Sequence, residues 1–235
     1  ILNRRIWLPE DGDSFISFLE QFRRKEKEEW SRKILNTKLD VLAIPTKTIH
    51  YITDEIMKGN YQSFLNLKLF RSYESIAIFG LIVSRISDFR ELSYYLDIYL
   101  DVMENWAHCD LLSLRITDEN KDEFLALSDK YLGDKRPLVR RLSLMILFQM
   151  IKNPSIIDTV FHHLKILQYE EDYYVIMMAG WLLSECIILY EEITLEFIQK
   201  EKTLNRKIVN KGIQKCRESR RLSMKEKDYL LRFKR

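Results

Sequence analysis

Residues 137–152 read PLVRRLSLMILFQMIK, residues 154–169 read PSIIDTVFHHLKILQY, and residues 173–190 read YYVIMMAGWLLSECIILY. Each stretch is apolar at helical spacing and has the length of an ordinary globular helix. The joints, Asn153 and then Glu170, Glu171 and Asp172, are short and polar, and Pro137 and Pro154 suit first helical turns. The third stretch comes nearest to a membrane span. Ser184 and Glu185 interrupt it and three acids precede it, so it reads as a buried helix. Gly180 lowers its helix propensity by about 1 kcal/mol relative to Ala, which predicts the close approach of another helix there, with Trp181 beside a crowded joint.

The pattern extends in both directions. Upstream, residues 14–37 read as one or two helices, with Phe15, Phe18, Leu19 and Phe22 on one face. The mixed-charge run Arg23 to Glu29 follows, and Trp30 and Ile34 resume the face. An apolar turn over 39–44 ends at Pro45, and 46–57 is a helix stopped by Lys58-Gly59-Asn60. Further helices are expected over 61–69, 73–86, 89–99, 106–116 and 118–132, and downstream over 194–200, 205–217 and 223–233. Gly 6 and Pro 4 in 235 residues argue against turn-rich sandwiches, barrels and Gly-rich nucleotide folds. Helix pairs recurring at roughly forty residues predict an all-α, HEAT/armadillo-like repeat superhelix, a curved α-solenoid forming one domain over 1–235.

The formal charge of +3 decides no partner, but its distribution is uneven. Residues 200–235 hold fourteen Lys/Arg against four Asp/Glu, a basic segment that can face phosphates, acidic lipids or water. Cys109, Cys186 and Cys216 are an odd, scattered set without a Cys-x-x-Cys pair, which suits a reducing cytoplasm and suggests neither a disulfide framework nor zinc. No secretory signal is visible near the start. His50, His108, His162 and His163 show no metal-ligand spacing, and Walker, dinucleotide-glycine and nucleophile-elbow motifs are missing from the sequence.

Three segments carry candidate chemistry. Trp106 and Asp110 stand one helical turn apart on a common face, a pairing that also arises as core plus cap. Arg140 and Arg141 interrupt the apolar run that opens at Pro137, so at least one sits at a core edge and needs a carboxylate or a phosphate. The 173–186 run is aromatic at both ends, small in the middle, and mostly core.

In that order, Trp106-x-x-x-Asp110, the Arg140-Arg141 helix start, Tyr173-Tyr174-Val175 through Trp181, and Asn210-Lys211-Gly212-Ile213-Gln214-Lys215 resemble the AlkD family of DNA alkylation-repair proteins. The resemblance starts near residue 33, passes through Leu42-Ala43-Ile44-Pro45 and Ser72-Tyr73-Glu74, and covers most of the chain. It implies a HEAT-like superhelix on double-stranded DNA and, in active members, hydrolysis of the N-glycosidic bond of cationic N3- or N7-alkylated purines. By resemblance, Asp110 stabilises an oxocarbenium-like sugar and positions water, with Trp106 and Trp181 as aromatic walls. Arg140 or Arg141 holds a phosphate, and Lys207, Lys211 and Lys215 contact the DNA backbone. The expected protein is a cytoplasmic monomer with no metal, organic cofactor or membrane partner. Three departures stand out, the first being that residues 23–37 offer no clear separate helix of the sort that probes the minor groove in active members. Members commonly carry an Arg shortly after the loop proline, where this chain has Pro45-Thr46-Lys47, leaving Lys47 as the basic residue. The Trp181-Leu-Leu-Ser-Glu-Cys186 run looks like a divergent subfamily. The alternative is therefore a non-catalytic DNA-binding or scaffold solenoid.

Overall fold

The computed structural model describes residues 2–235, and among them the regular elements are all helical. The chain divides into two compact units, Ile1–Arg115 and Ile116–Arg235. The first holds α1 (Asp11–Glu20), α2 (Lys25–Leu35), α3 (Thr46–Met57), α4 (Tyr61–Asn66), α5 (Tyr73–Val83), α6 (Phe89–Val102) and α7 (Trp106–Asp110). The second holds α8 (Lys121–Leu132), α9 (Pro137–Met150), α10 (Ile157–Ile166), α11 (Tyr173–Leu189), α12 (Glu191–Lys200), α13 (Arg206–Glu218) and α14 (Met224–Leu230). Short 3₁₀ turns flank α10 and follow α14. Within each unit, helices close in sequence pack on one another: α3 on α5 and α5 on α6, then α8 on α9, α9 on α11 and α11 on α13. These stacked pairs make the fold an all-α, HEAT/armadillo-like repeat. No helix of the described residues is long and apolar enough to cross a membrane.

Each unit is built around one helix that is apolar on every side. Every residue of α5 from Glu74 to Val83 is buried, and a box of Ser72 and Ser75 caps its start. Gly80 allows α6 to come close, because a Cβ there would lie 2.5 Å from the Tyr99 ring. In the second unit α11 plays the same part. A Cβ on Gly180 would lie 2.5 Å from Lys211 Cγ, and one on Gly212 would lie 3.0 Å from Leu183 Cδ2, so α11 and α13 meet glycine to glycine. The close approach expected at Gly180 is thus made by α13. Ser128 on α8 and Ser143 on α9 exchange hydroxyl-to-carbonyl hydrogen bonds at 2.9 and 2.8 Å, with the buried His163 ring of α10 at 3.2 Å from Ser128 Oγ.

Two expectations are corrected. Of the one or two helices read over 14–37 there are two, and 23–37 hold a clear separate helix, α2, although only its Leu35 is buried. Its stability comes from charge: Arg23 bonds Glu20 at 2.6 Å, Glu28 at 2.9 Å and Asp40 at 2.6 Å, while acids in the first turn and bases in the last complement the helix dipole. The helix expected over 106–116 stops at Asp110, and the chain then runs on without helix while still burying Leu112 and Leu114.

Candidate functional site

Five residues are too few to hold a helix unaided, so α7 depends on what surrounds it. Asn105 caps it, its Oδ1 accepting from the amides of Ala107 at 3.0 Å and His108 at 3.2 Å. His108 is completely buried. Its Nδ1 accepts from the Glu104 amide at 3.3 Å, so the proton belongs on Nε2, which lies 3.1 Å from the Tyr73 carbonyl. Burial pushes its pKa down to about 4, against smaller upward pulls from the Tyr73 carbonyl and Glu104. The ring stacks on Tyr73, centroids 4.8 Å apart, and the Tyr99 hydroxyl donates to the His108 carbonyl at 2.7 Å. Trp106 and Asp110 are half-buried on this short helix, and the Trp106 indole Nε1 donates to the Ile34 carbonyl at 3.1 Å.

Beside Ile34, the first unit has a cavity of about 330 Å³ lined in part by Trp30, Ile34, Pro45, Thr46 and Tyr73. Its wall, the 41–45 loop, is fixed from within by Glu74. That buried carboxylate accepts the amides of Leu42 at 3.0 Å and Ile44 at 3.3 Å, holding Ala43 at a left-handed φ of 54°. Burial raises the Glu74 pKa and the amides only partly offset it. Lys47 follows on the exposed first turn of α3.

In the second unit, Arg140 and Arg141 both find protein partners. The Arg140 guanidinium grips Glu170 with two bonds, at 2.8 and 3.1 Å, and reaches the carbonyls of Asp134 and Lys135 at 3.0 Å each. Burial pushes the Glu170 pKa up, but Arg140 and the amides of Asp172 and Glu171 outweigh it and hold it below the usual value. Arg141 is buried and donates to the Tyr174 carbonyl at 2.6 Å. Asp172 then caps α11, accepting from Tyr174 at 2.8 Å and Val175 at 3.2 Å. Along α11, Tyr173 and Trp181 are exposed. On α13, Lys207, Lys211 and Lys215 recur every fourth residue and so share a face. Lys207 pairs with Glu171, Lys211 bonds Gln214 at 2.9 Å, and Lys215 pairs with Glu218 at 2.9 Å with its Nζ 5.6 Å from the Trp181 ring centroid.

A family model described as DNA alkylation repair enzyme matches residues 16–216. The chain belongs to the DNA alkylation repair enzyme family. No curated protein and no solved structure matches it. As a member of the DNA alkylation repair family, it has α7, α9 and α11 inside the matched region, whereas Arg217 and the basic residues after it lie beyond. No group of three or more His, Cys, Asp or Glu among the described residues could hold a metal, and the three cysteines are buried and form no disulfide.

Sequence reasoning singled out Trp106 and Asp110, which share α7, and Trp181, Lys211 and Lys215, which the α11–α13 crossing brings together. It missed what supports them. Glu170, the partner of Arg140, was read only as part of a polar joint, and its position thirty residues downstream left no local signal. His108 stood between Trp106 and Asp110 in the sequence, where its lack of ligand spacing was the only thing noted. Glu74 entered only within the Ser72-Tyr73-Glu74 segment of the resemblance, and its part in holding the 41–45 loop depends on α5 being buried all round.

Proposed function

We propose that this protein binds alkylated duplex DNA and hydrolyses the N-glycosidic bond of cationic N3- or N7-alkylated purines. The observation carrying this reading is the pair Trp106 and Asp110, half-buried on one face of a short helix that the protein holds through His108, Tyr73 and Tyr99. An alkylated purine already carries positive charge, so its departure needs no strong acid. The bond from C1′ to the base nitrogen breaks, its electrons neutralise the purine, and the sugar becomes oxocarbenium-like. Asp110 stabilises that cation and orients the water whose oxygen bonds to C1′ and whose proton is then released. Trp106 and Trp181 offer indole faces to the sugar and backbone, each contact worth about 0.5–2 kcal/mol. Lys47, Lys207, Lys211 and Lys215 are the phosphate contacts. Arg140 and Arg141 enter as supports of the α9 and α11 starts, since a phosphate on Arg140 would have to displace Glu170.

That same occupancy favours a second reading, in which the family fold is kept for binding DNA without excision. Incubating the protein at low salt with a duplex bearing one N7-methylguanine separates the two. Free base released by the wild type and lost in Asp110→Asn supports hydrolysis; duplex binding without release supports the second reading, and no binding at low salt defeats both.

A further inference from the structure

The geometry points to His108 as the positioning residue of α7, acting through the backbone to set Trp106 and Asp110, an inference that rests on the reading of Asp110 just given. Three independent restraints converge on this one residue. Its neutral ring bridges two segments, accepting the Glu104 amide at 3.3 Å on Nδ1 and reaching the Tyr73 carbonyl at 3.1 Å from Nε2. Its face lies on Tyr73 at 17° between planes. Its own carbonyl takes the Tyr99 hydroxyl at 2.7 Å, and Tyr99 can lie there because Gly80 leaves room beneath its ring. Tyr73 opens α5, directly beside Glu74, so one imidazole ties α7 to the buried helix that also fixes the 41–45 loop. His108 is fully buried and touches no reacting atom, which makes it a positioning residue and not a catalytic one. Displacement of a reacting group by about 1 Å can cost roughly a hundredfold in rate, so a helix of five residues needs such a tether.

The test compares wild type, His108→Gln and His108→Asn, because Gln keeps a donor within reach of the Tyr73 carbonyl while Asn keeps only the acceptor near Glu104. Two readouts are taken: amide hydrogen exchange over residues 105–111 without DNA, and single-turnover release of free base from an N7-methylguanine duplex alongside its Kd. His108→Asn is expected to speed exchange about tenfold and slow release about ten- to a hundredfold with Kd within about twofold, and His108→Gln to stay within about threefold of wild type. Unchanged exchange in His108→Asn, or no difference between Gln and Asn, overturns the proposal. If the exchange pattern appears but the wild type releases no base, the positioning role stands and the reaction assigned to Asp110 falls. Should His108→Asn not fold, Tyr99→Phe is read instead: faster exchange confined to α7 supports the role, and unchanged exchange overturns it.

Discussion

The Trp106 indole Nε1 closes the end of α2 by donating to the Ile34 carbonyl at 3.1 Å, across 72 residues of sequence. Ile34 lies in the last turn of α2, where carbonyls lack intrahelical donors, and Asn36 just beyond turns the chain away at a φ of 50°. Trp106 therefore serves structure and site at once. Trp106→Phe keeps an aromatic face and removes only the donor. It should cost about 0.5–1.5 kcal/mol and raise hydrogen exchange across Lys25–Leu35. Exchange in α2 that does not change would show that the bond carries nothing.

Stability should fall in mild acid because of His108. Its folded pKa is depressed by burial to about 4 from the ordinary imidazole value of 6.5, so the unfolded chain binds more protons between those values. Stability is therefore whole above the unfolded pKa and lost as pH falls through the window, by about 1.4 kcal/mol per pH unit while the difference lasts. His163, also lowered chiefly by burial, acts in the same direction. Urea unfolding at pH 7 and pH 5 measures the drop, expected to be about 2 kcal/mol from His108. In His108→Gln that part of the slope should vanish; a slope equal to wild type would assign it elsewhere.

Gly180→Ala should destabilise despite the better helix propensity of alanine. The added Cβ would meet Lys211 Cγ at 2.5 Å, Lys211 Cβ at 2.8 Å and the Gly212 amide nitrogen at 3.3 Å, near-backbone atoms that cannot swing away. Overpacking of this kind costs about 1–3 kcal/mol, against about 1 kcal/mol gained from propensity. A melting temperature at or above wild type would mean that the two helices slide apart cheaply.

Salt dependence distinguishes the lysines from the arginines. If Lys207, Lys211 and Lys215 each meet a phosphate, replacing any one with Gln should lower the slope of log K against log salt by about 0.9, for every duplex sequence. Arg140→Gln should leave that slope alone and instead destabilise the fold by about 1–3 kcal/mol, since Gln cannot reproduce the paired, charge-assisted hydrogen bonds to Glu170. A slope that drops with Arg140→Gln would place a phosphate on Arg140.

From the sequence alone, periodicity and the scarcity of Gly and Pro determined the all-helical class and most helix positions, while the resemblance pointed to Trp106, Asp110 and Trp181. Those signals are local, because a helix writes its buried face every three or four residues and a glycine inside it marks a close neighbour, as Gly180 did. Tertiary structure alone decided what holds those residues. α2 has almost no buried face, so periodicity left one helix or two open over 14–37, and the bonds of Arg23 and the Trp106 indole that secure the second lie in the tertiary structure. The helix at Trp106 ends after five residues, and nothing in the spacing of apolar side chains shows where a histidine ring will find a carbonyl thirty-five residues away. Glu170, likewise, became the partner of Arg140 only when α9 and the turn before α11 came together, since a buried charge selects its partner by distance in space, which sequence separation does not encode.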